Sequence, residues 1–93
     1  MGEVTYFVAL PFQRTEDGDL IAGDAIECIT ASRAVREAER LARLNAGAIA
    51  FSRTGDPAVA EFADAQILRQ LGELPADLFE VVDEGEEFEK DDD

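Results

Sequence analysis

Apolar side chains recur at every second position near the start of the chain. Val4, Tyr6, Val8, Leu10 and Phe12 share one side, and Phe7 and Ala9 make the other side apolar as well. This period of two, in a segment rich in β-branched and aromatic residues, predicts a strand buried on at least one face. Pro11 has no amide donor, so the strand is expected to end there or to lie at an edge. Glu16-Asp17-Gly18-Asp19 is a turn signal, because Asp-Gly takes up positive φ at little cost. Leu20 to Thr30 reads as a second strand with a bulge or irregularity at Gly23-Asp24, and the two strands are expected to pair as a hairpin.

The period then lengthens. Ser32 is read as the N-cap of a helix running to about Ala46, with Glu37 one turn further in and Gly47 as the residue just past its end. At roughly 100° per residue, Ala34, Val35, Ala38, Leu41, Ala42 and Ala46 cover one side, and their small size lets the helix sit close to a sheet. Ala48 to Arg53 follows as a third strand with Ile49 and Phe51 on one face, closed by Thr54-Gly55-Asp56-Pro57.

Residues 57–74 carry conflicting signals. Asp56 as N-cap, Pro57 at the first helical position and Gly72 at the end would frame a helix. On a helical wheel, however, Val59, Phe62, Ile67, Leu68 and Leu71 scatter over nearly the full circle and define no core face. A turn through Ala58–Ala63 and a strand at Ala65–Leu71, with Ala65, Ile67 and Leu71 on one side, fits better. The expected fold is therefore α+β, of order ββαββ, with an antiparallel sheet and one main helix packed on one face. The alternative is ββαβα, with a second helix at about 57–71.

Charge divides the chain. Residues 77–93 hold ten of the 22 acidic side chains and the one lysine, Lys90, for a net −9, whereas residues 1–76 hold twelve acids and seven arginines, a net −5. A compact domain over 1–76 and an acidic C-terminal tail over 77–93, partly or wholly disordered, is the expected division. Leu78, Phe79, Val81 and Val82 are the tail residues able to contact the body. Ninety-three residues accommodate one domain. Neither a basic leader pattern nor an apolar run of the roughly 20 residues a membrane span needs is present in the sequence. One cysteine gives no intramolecular disulfide, which points to a reducing cytoplasm. Seven arginines to one lysine, with many alanines, suggest a small bacterial protein from a G+C-rich genome.

Composition also narrows the chemistry. Without histidine, the usual general base, nucleophile activator and commonest metal ligand are all missing. Cys28 lies in an apolar strand context and reads as a small hydrophobe; zinc sites need several Cys or His ligands. Gly18, Gly23, Gly47, Gly55 and Gly72 are isolated and form no phosphate-cradling motif, so no cofactor is expected. The loop carboxylates Asp17, Asp19, Asp24, Asp56 and Asp64 would support catalysis only if a cleft held two of them at fixed separation; the simpler reading is turn-capping.

One arrangement stands out. Arg33, Arg36, Arg40 and Arg43, spaced three, four and three apart, fall within an arc of roughly 80° opposite the helix's apolar side. Part of this stripe can be neutralised locally, since Glu37 can meet Arg33 or Arg40 and Glu39 can meet Arg43. The rest is a candidate docking site for an acidic or phosphate-bearing partner. Direct nucleic-acid binding is disfavoured by the net negative field and the lack of aromatic residues on the stripe. Separately, Leu74-Pro75-Ala76-Asp77-Leu78-Phe79 resembles the hydrophobic end of peptides that bind bacterial DNA-polymerase sliding clamps and finish in Asp-Leu-Phe. Those peptides begin with glutamine where Leu74 stands, so their polar anchor is missing and no role is carried over from them; Leu78 and Phe79 are the candidate tail contacts.

The function expected from these features is non-enzymatic: a small cytoplasmic interaction or regulatory module with an unidentified protein partner, no direct nucleic acid and no membrane. A nucleic-acid mimic, whose carboxylates would occupy a DNA-binding protein, is the alternative, although mimicry wants acids spread over a rigid surface and here most sit in the tail. A carboxylate-dependent hydrolase is the third reading. Oligomeric state and biological process are not encoded in any pattern found.

Overall fold

The computed structural model describes residues 2–56, 58–59, 61–76 and 78. Two long strands, β1 (Val4–Arg14) and β4 (Gly47–Asp56), lie antiparallel at its centre. Along the other side of β1 run β2 (Leu20–Ala22) and β3 (Ile26–Cys28), and along the other side of β4 run β5 (Glu61–Phe62) and β6 (Gln66–Gly72). Every pairing is antiparallel. The helix α1 (Ala31–Leu44) packs on one face. Six strand segments thus fill four lanes, the expected α+β arrangement with its second and fourth strands interrupted. The alternative helix at about 57–71 is not formed, because Gln66–Gly72 pairs with Gly47–Ser52 instead.

Pleating sorts the core by size. β1 and β4 pair from Val4↔Gly55 to Phe12↔Gly47, so Val8 and Leu10 lie opposite Phe51 and Ile49 on one face, and Ala9 lies opposite Ala50 on the other. The first face gathers Val8, Leu10, Phe12, Ile49 and Phe51 with Leu78, backed by Tyr6, Ala65, Ile67 and Leu74. The second is an alanine seat: Ala9, Ala48 and Ala50 receive Ala34, Ala38 and Leu41 of α1, with Phe7, Ile26, Cys28, Val35, Ala42 and Leu71 around them. Both face assignments, of β1 and of the helix, follow the sequence pattern. Each large side chain buried here is worth about 1.5–3 kcal/mol relative to exposure, which places most of the apolar stabilisation on the face away from the helix.

Pro11 does not end β1, which continues to Arg14. Its carbonyl accepts the Gly23 amide at 2.9 Å, so the donor it lacks would also point toward the β2–β3 lane. That lane is broken there: between Ala9↔Ile26 and Phe12↔Ala22, two residues of β1 oppose Gly23, Asp24 and Ala25. The missing proline donor thus falls at the bulge expected at Gly23-Asp24. The β5–β6 lane repeats the device, with Ala63, Asp64 and Ala65 opposite Arg53 and Thr54, between Gly55↔Phe62 and Ser52↔Gln66.

A further register shift corrects the expected face of the last strand. Ala50 pairs with Arg69 but Phe51 with Ile67, leaving Leu68 as an extra residue. One inserted residue reverses the alternation. Ala65 and Ile67 therefore join the large-residue face, while Leu71 turns to the helix side; the three do not share a side.

The helix termini also differ from expectation. Thr30, not Ser32, is the N-cap: its backbone is extended (φ −134°, ψ 164°) and its hydroxyl accepts the Arg33 amide at 3.1 Å. Threonine serves both the end of an extended segment and a cap. At the other end Asn45 is the C-cap, and its side-chain amide donates to the Leu41 carbonyl at 2.9 Å. Gly47 belongs to β4 and is needed for a different reason. It faces Gly72 across the sheet, and a Cβ on it would collide with the Glu73 carbonyl and stand 2.7 Å from both Glu73 N and Leu71 O. Gly72 itself has φ +71°.

Two stability measurements check this packing. Gly47→Ala should cost at least about 2 kcal/mol, since backbone must move, whereas Gly18→Ala, at φ +91° in open space, should cost only about 1–2 kcal/mol from strain. Ala38→Leu should cost about 1–3 kcal/mol by lifting the helix off its seat. Urea midpoints unchanged by Gly47→Ala or Ala38→Leu would refute the close approach concerned.

Candidate functional site

With Ala34, Ala38 and Leu41 pinned to the sheet, α1 turns Arg33, Arg36, Arg40 and Arg43 to solvent, and all four are exposed. They line an open depression together with Glu37 and Glu39. Glu37 pairs with Arg40, which donates from Nε at 3.1 Å and from a terminal guanidinium nitrogen. Glu39 does not meet Arg43; it reaches sideways to Arg69 of β6 at 3.2 Å. The two glutamates therefore answer only Arg40 and a sheet arginine. Among the described residues, Arg33, Arg36 and Arg43 form no ion pair.

Arg33 occupies the third helical position, its amide bound to the Thr30 cap. The helix macrodipole disfavours a cation there, and a glutamate would complete a capping box. No acidic residue lies in the first turn to offset it. Arg43, in the last turn, is where the dipole favours it. The stripe thus extends one arginine beyond what helix electrostatics would select.

The hydrogen bond from Arg40 holds the Glu37 carboxyl below its ordinary value of 4.5, and the same pair raises the Arg40 guanidinium. A depressed carboxyl contributes stability above its unfolded pKa and loses it as pH falls through the lower, folded one. Protonation of Glu37 below that value frees Arg40 and makes the stripe more positive. Cys28 sits at the end of β3 with its thiol near the Ile26 carbonyl at 3.7 Å. Burial, then the Glu37 charge, push that thiol above its ordinary 9.0, against a smaller opposing effect of Arg33. It has the electrostatics of a poor nucleophile.

The loop carboxylates do not converge. Among the described residues, no group of three or more acidic, cysteine or histidine side chains is placed to hold a metal ion. Asp17 and Asp19 are exposed on the turn between β1 and β2, and Asp24 and Asp64 are exposed in two other connections. Asp56 is half-buried and accepts the Ala58 amide at 2.9 Å, closing a turn and starting no helix. Leu78 packs into the large-residue core; Phe79, Val81 and Val82, like the rest of 79–93, lie outside the described residues. No helix among those residues is long and apolar enough to cross a membrane.

The residue not anticipated is Arg53. It is only 6% exposed, and its guanidinium lies 5.6 Å from the centroid of the Phe62 ring. Phe62 also meets Tyr6, the cross-strand partner of Arg53, with centroids 6.0 Å apart. The signal was available: Arg53 follows Ile49 and Phe51 at period two, on the apolar face of β4. Burial of a guanidinium over an aromatic ring suits a cation–π contact in a dry setting.

Comparisons with known protein families, curated proteins and solved structures find nothing that matches this chain. The reading of function rests on the surface just described.

Two measurements probe its chemistry. The Glu37 carboxyl should titrate below 4.5 by carbon-detected NMR and move upward in Arg40→Gln; a titration at or above 4.5 in the wild type contradicts the pairing. Cys28 should alkylate more slowly than a free thiol at pH 8, and Glu37→Gln should speed it, because a negative neighbour is removed.

Proposed function

We propose that the protein is a non-enzymatic interaction module of the reducing cytoplasm. On this reading, Arg33, Arg36, Arg40 and Arg43 dock an acidic, carboxylate-rich or phosphate-bearing face of a protein partner. The observation that carries the reading is Arg33. It stands where the macrodipole opposes a cation, so the local physics of the helix offers no reason for it, whereas a binding stripe one turn longer does. Support comes also from Glu39, which pairs away from the stripe and leaves its arginine fork donors available for carboxylate or phosphate oxygens.

The rigidity of the seat serves this role. Consecutive arginines of the stripe advance about 4.5–6 Å along the helix axis, and a helix packed on alanines holds that spacing with little loss of backbone entropy on binding. The net negative charge of the rest of the chain repels nucleic acid at a distance, so a protein surface with localised acids is the better match.

Capture from native lysate tests the proposal when wild type is run beside Arg33→Ala/Arg36→Ala/Arg43→Ala, a variant that leaves the Arg40–Glu37 pair in place. A partner held at about 50 mM salt should be released at about 500 mM, where screening acts within a few ångströms. The variant should retain it at least about tenfold less well, the equivalent of 1.4 kcal/mol. If the variant, shown folded by circular dichroism, captures the same partners as the wild type, the stripe is not the docking site.

A further inference from the structure

We propose that the stripe's partner is an acidic peptide segment with an apolar residue at one end. That residue seats in a depression between the C-terminal end of α1 and β1, and the acids run from there along the arginines toward Thr30. The anchor rests on the docking reading above and adds to it the chemistry and direction of the partner.

Two elements build the anchor site where the helix ends. Gln13 and Arg14 of β1, with Leu44, Asn45 and Ala46, line an open depression of about 460 Å³. Leu44 is 69% exposed although apolar, and Ile21 of β2 is 49% exposed. Ala9 faces the helix, and Gln13 lies four residues further along the same strand, so Gln13 and its cross-strand partner Ile21 share the helix side of the sheet. Among the described residues, neither Ile21 nor Leu44 belongs to a core cluster. Single exposed apolar side chains are ordinary on a surface. Two on one face, at one depression and beside a row of arginines, make a composite surface. Polar side chains at its rim are already engaged: Asn45 donates to the Leu41 carbonyl at 2.9 Å, and Arg14 donates to the Glu73 carboxylate at 3.2 Å and to the Gly18 carbonyl. An apolar occupant therefore deprives neither of a partner.

Continuity with the stripe sets what the rest of the occupant is. Leu44 lies one turn beyond Arg40 and is its neighbour on the helix surface. Among the described residues Arg33, Arg36 and Arg43 form no ion pair, so carboxylates are the complementary chemistry. From Leu44 back to Arg33 the helix axis advances about 16 Å, a distance that about five residues of extended peptide span. Arg33 stands in the first turn, where no acidic residue offsets it and the dipole adds to its charge. The acids belong at that end and the apolar residue at the other. A free phosphate or a uniform polyanion would satisfy the stripe and leave Ile21 and Leu44 in water.

Synthetic peptides and the full chain test the anchor. The probes are hexaglutamate and hexaglutamate extended by one phenylalanine at either end, all capped at both termini. The better of the two phenylalanine peptides should bind about tenfold more tightly than hexaglutamate, the gain expected from partly burying one large apolar side chain. That ratio should hold between about 20 mM and about 150 mM salt while both affinities fall, because screening acts on the charges alone. The phenylalanine peptide should also shift the methyl NMR signals of Ile21 and Leu44, which hexaglutamate should leave in place. Ile21→Ser/Leu44→Ser alters exposed residues only. Shown folded by circular dichroism, it should bind hexaglutamate as the wild type does and lose the tenfold gain. Equal binding of all three peptides by the wild type overturns the anchor, as does a gain that survives in Ile21→Ser/Leu44→Ser. Hexaglutamate binding lost in the arginine triple variant, with no gain from phenylalanine, sinks the anchor alone and leaves the docking reading standing. Peptide binding indifferent to the arginine variant sinks both.

Discussion

The register between β1 and β4 is the constraint on which the rest of this molecule depends. Nine residue pairs, from Val4↔Gly55 to Phe12↔Gly47, hold it, and a slip of one would exchange the two faces. Because the register holds, Ala9, Ala48 and Ala50 collect on one side and Val8, Leu10, Phe12, Ile49 and Phe51 on the other. The helix can approach only the alanine side closely, since single methyl groups leave room for its backbone. The large side needs a cover, and Leu74 and Leu78 contribute to it from the C-terminal side of β6. One pairing thus decides where the helix lies and which way its arginines face.

The flanking lanes are fitted to that central pair by insertion of single residues. A proline inside a long strand should cost a ladder bond; here its carbonyl holds Gly23 and its absent donor meets an interruption in the neighbouring lane. The second interruption, opposite Arg53 and Thr54, occurs where Arg53 is buried beside Phe62. Bulges of this type also bend outer strands, which blunts the open edge of a small sheet. The Gly47↔Gly72 contact closes the opposite end of β4, tied by the Glu73 amide to the Ala46 carbonyl at 3.0 Å and by the Ala46 amide to the Phe12 carbonyl at 2.9 Å.

Strong periodicity made the central elements legible from sequence. β1, the helix face and the strand rather than helix at Gln66–Gly72 all follow from where the apolar side chains recur. What escaped detection depends on a single residue or on a partner strand. Leu68 looks like any apolar strand residue, and only the pairing of Phe51 with Ile67 shows it to be an insertion. Thr30 was read as the end of a strand, because threonine suits extended backbone as well as it caps a helix. The arginine stripe was visible as a spacing of three and four. Which glutamate neutralises which arginine was not, since the Glu39–Arg69 pair joins the helix to a strand thirty residues later.

That one pair has consequences beyond its own energy, which for exposed partners at 3.2 Å is about 0–1 kcal/mol. Had Glu39 met Arg43, one turn further along α1, the helix would have carried two internal pairs and a weakened field. Instead Arg69 draws Glu39 toward the sheet edge, and among the described residues three of the stripe's four arginines keep their charge without a local counter-ion. Arg33 then sits at the helix end where the dipole adds to its charge and Arg43 at the end where the dipole subtracts from it. The positive potential is therefore graded along the stripe and strongest near Thr30. An acidic ligand with its charge concentrated at one end has a preferred direction along the helix, and that direction follows from the placement of two glutamates and a cap.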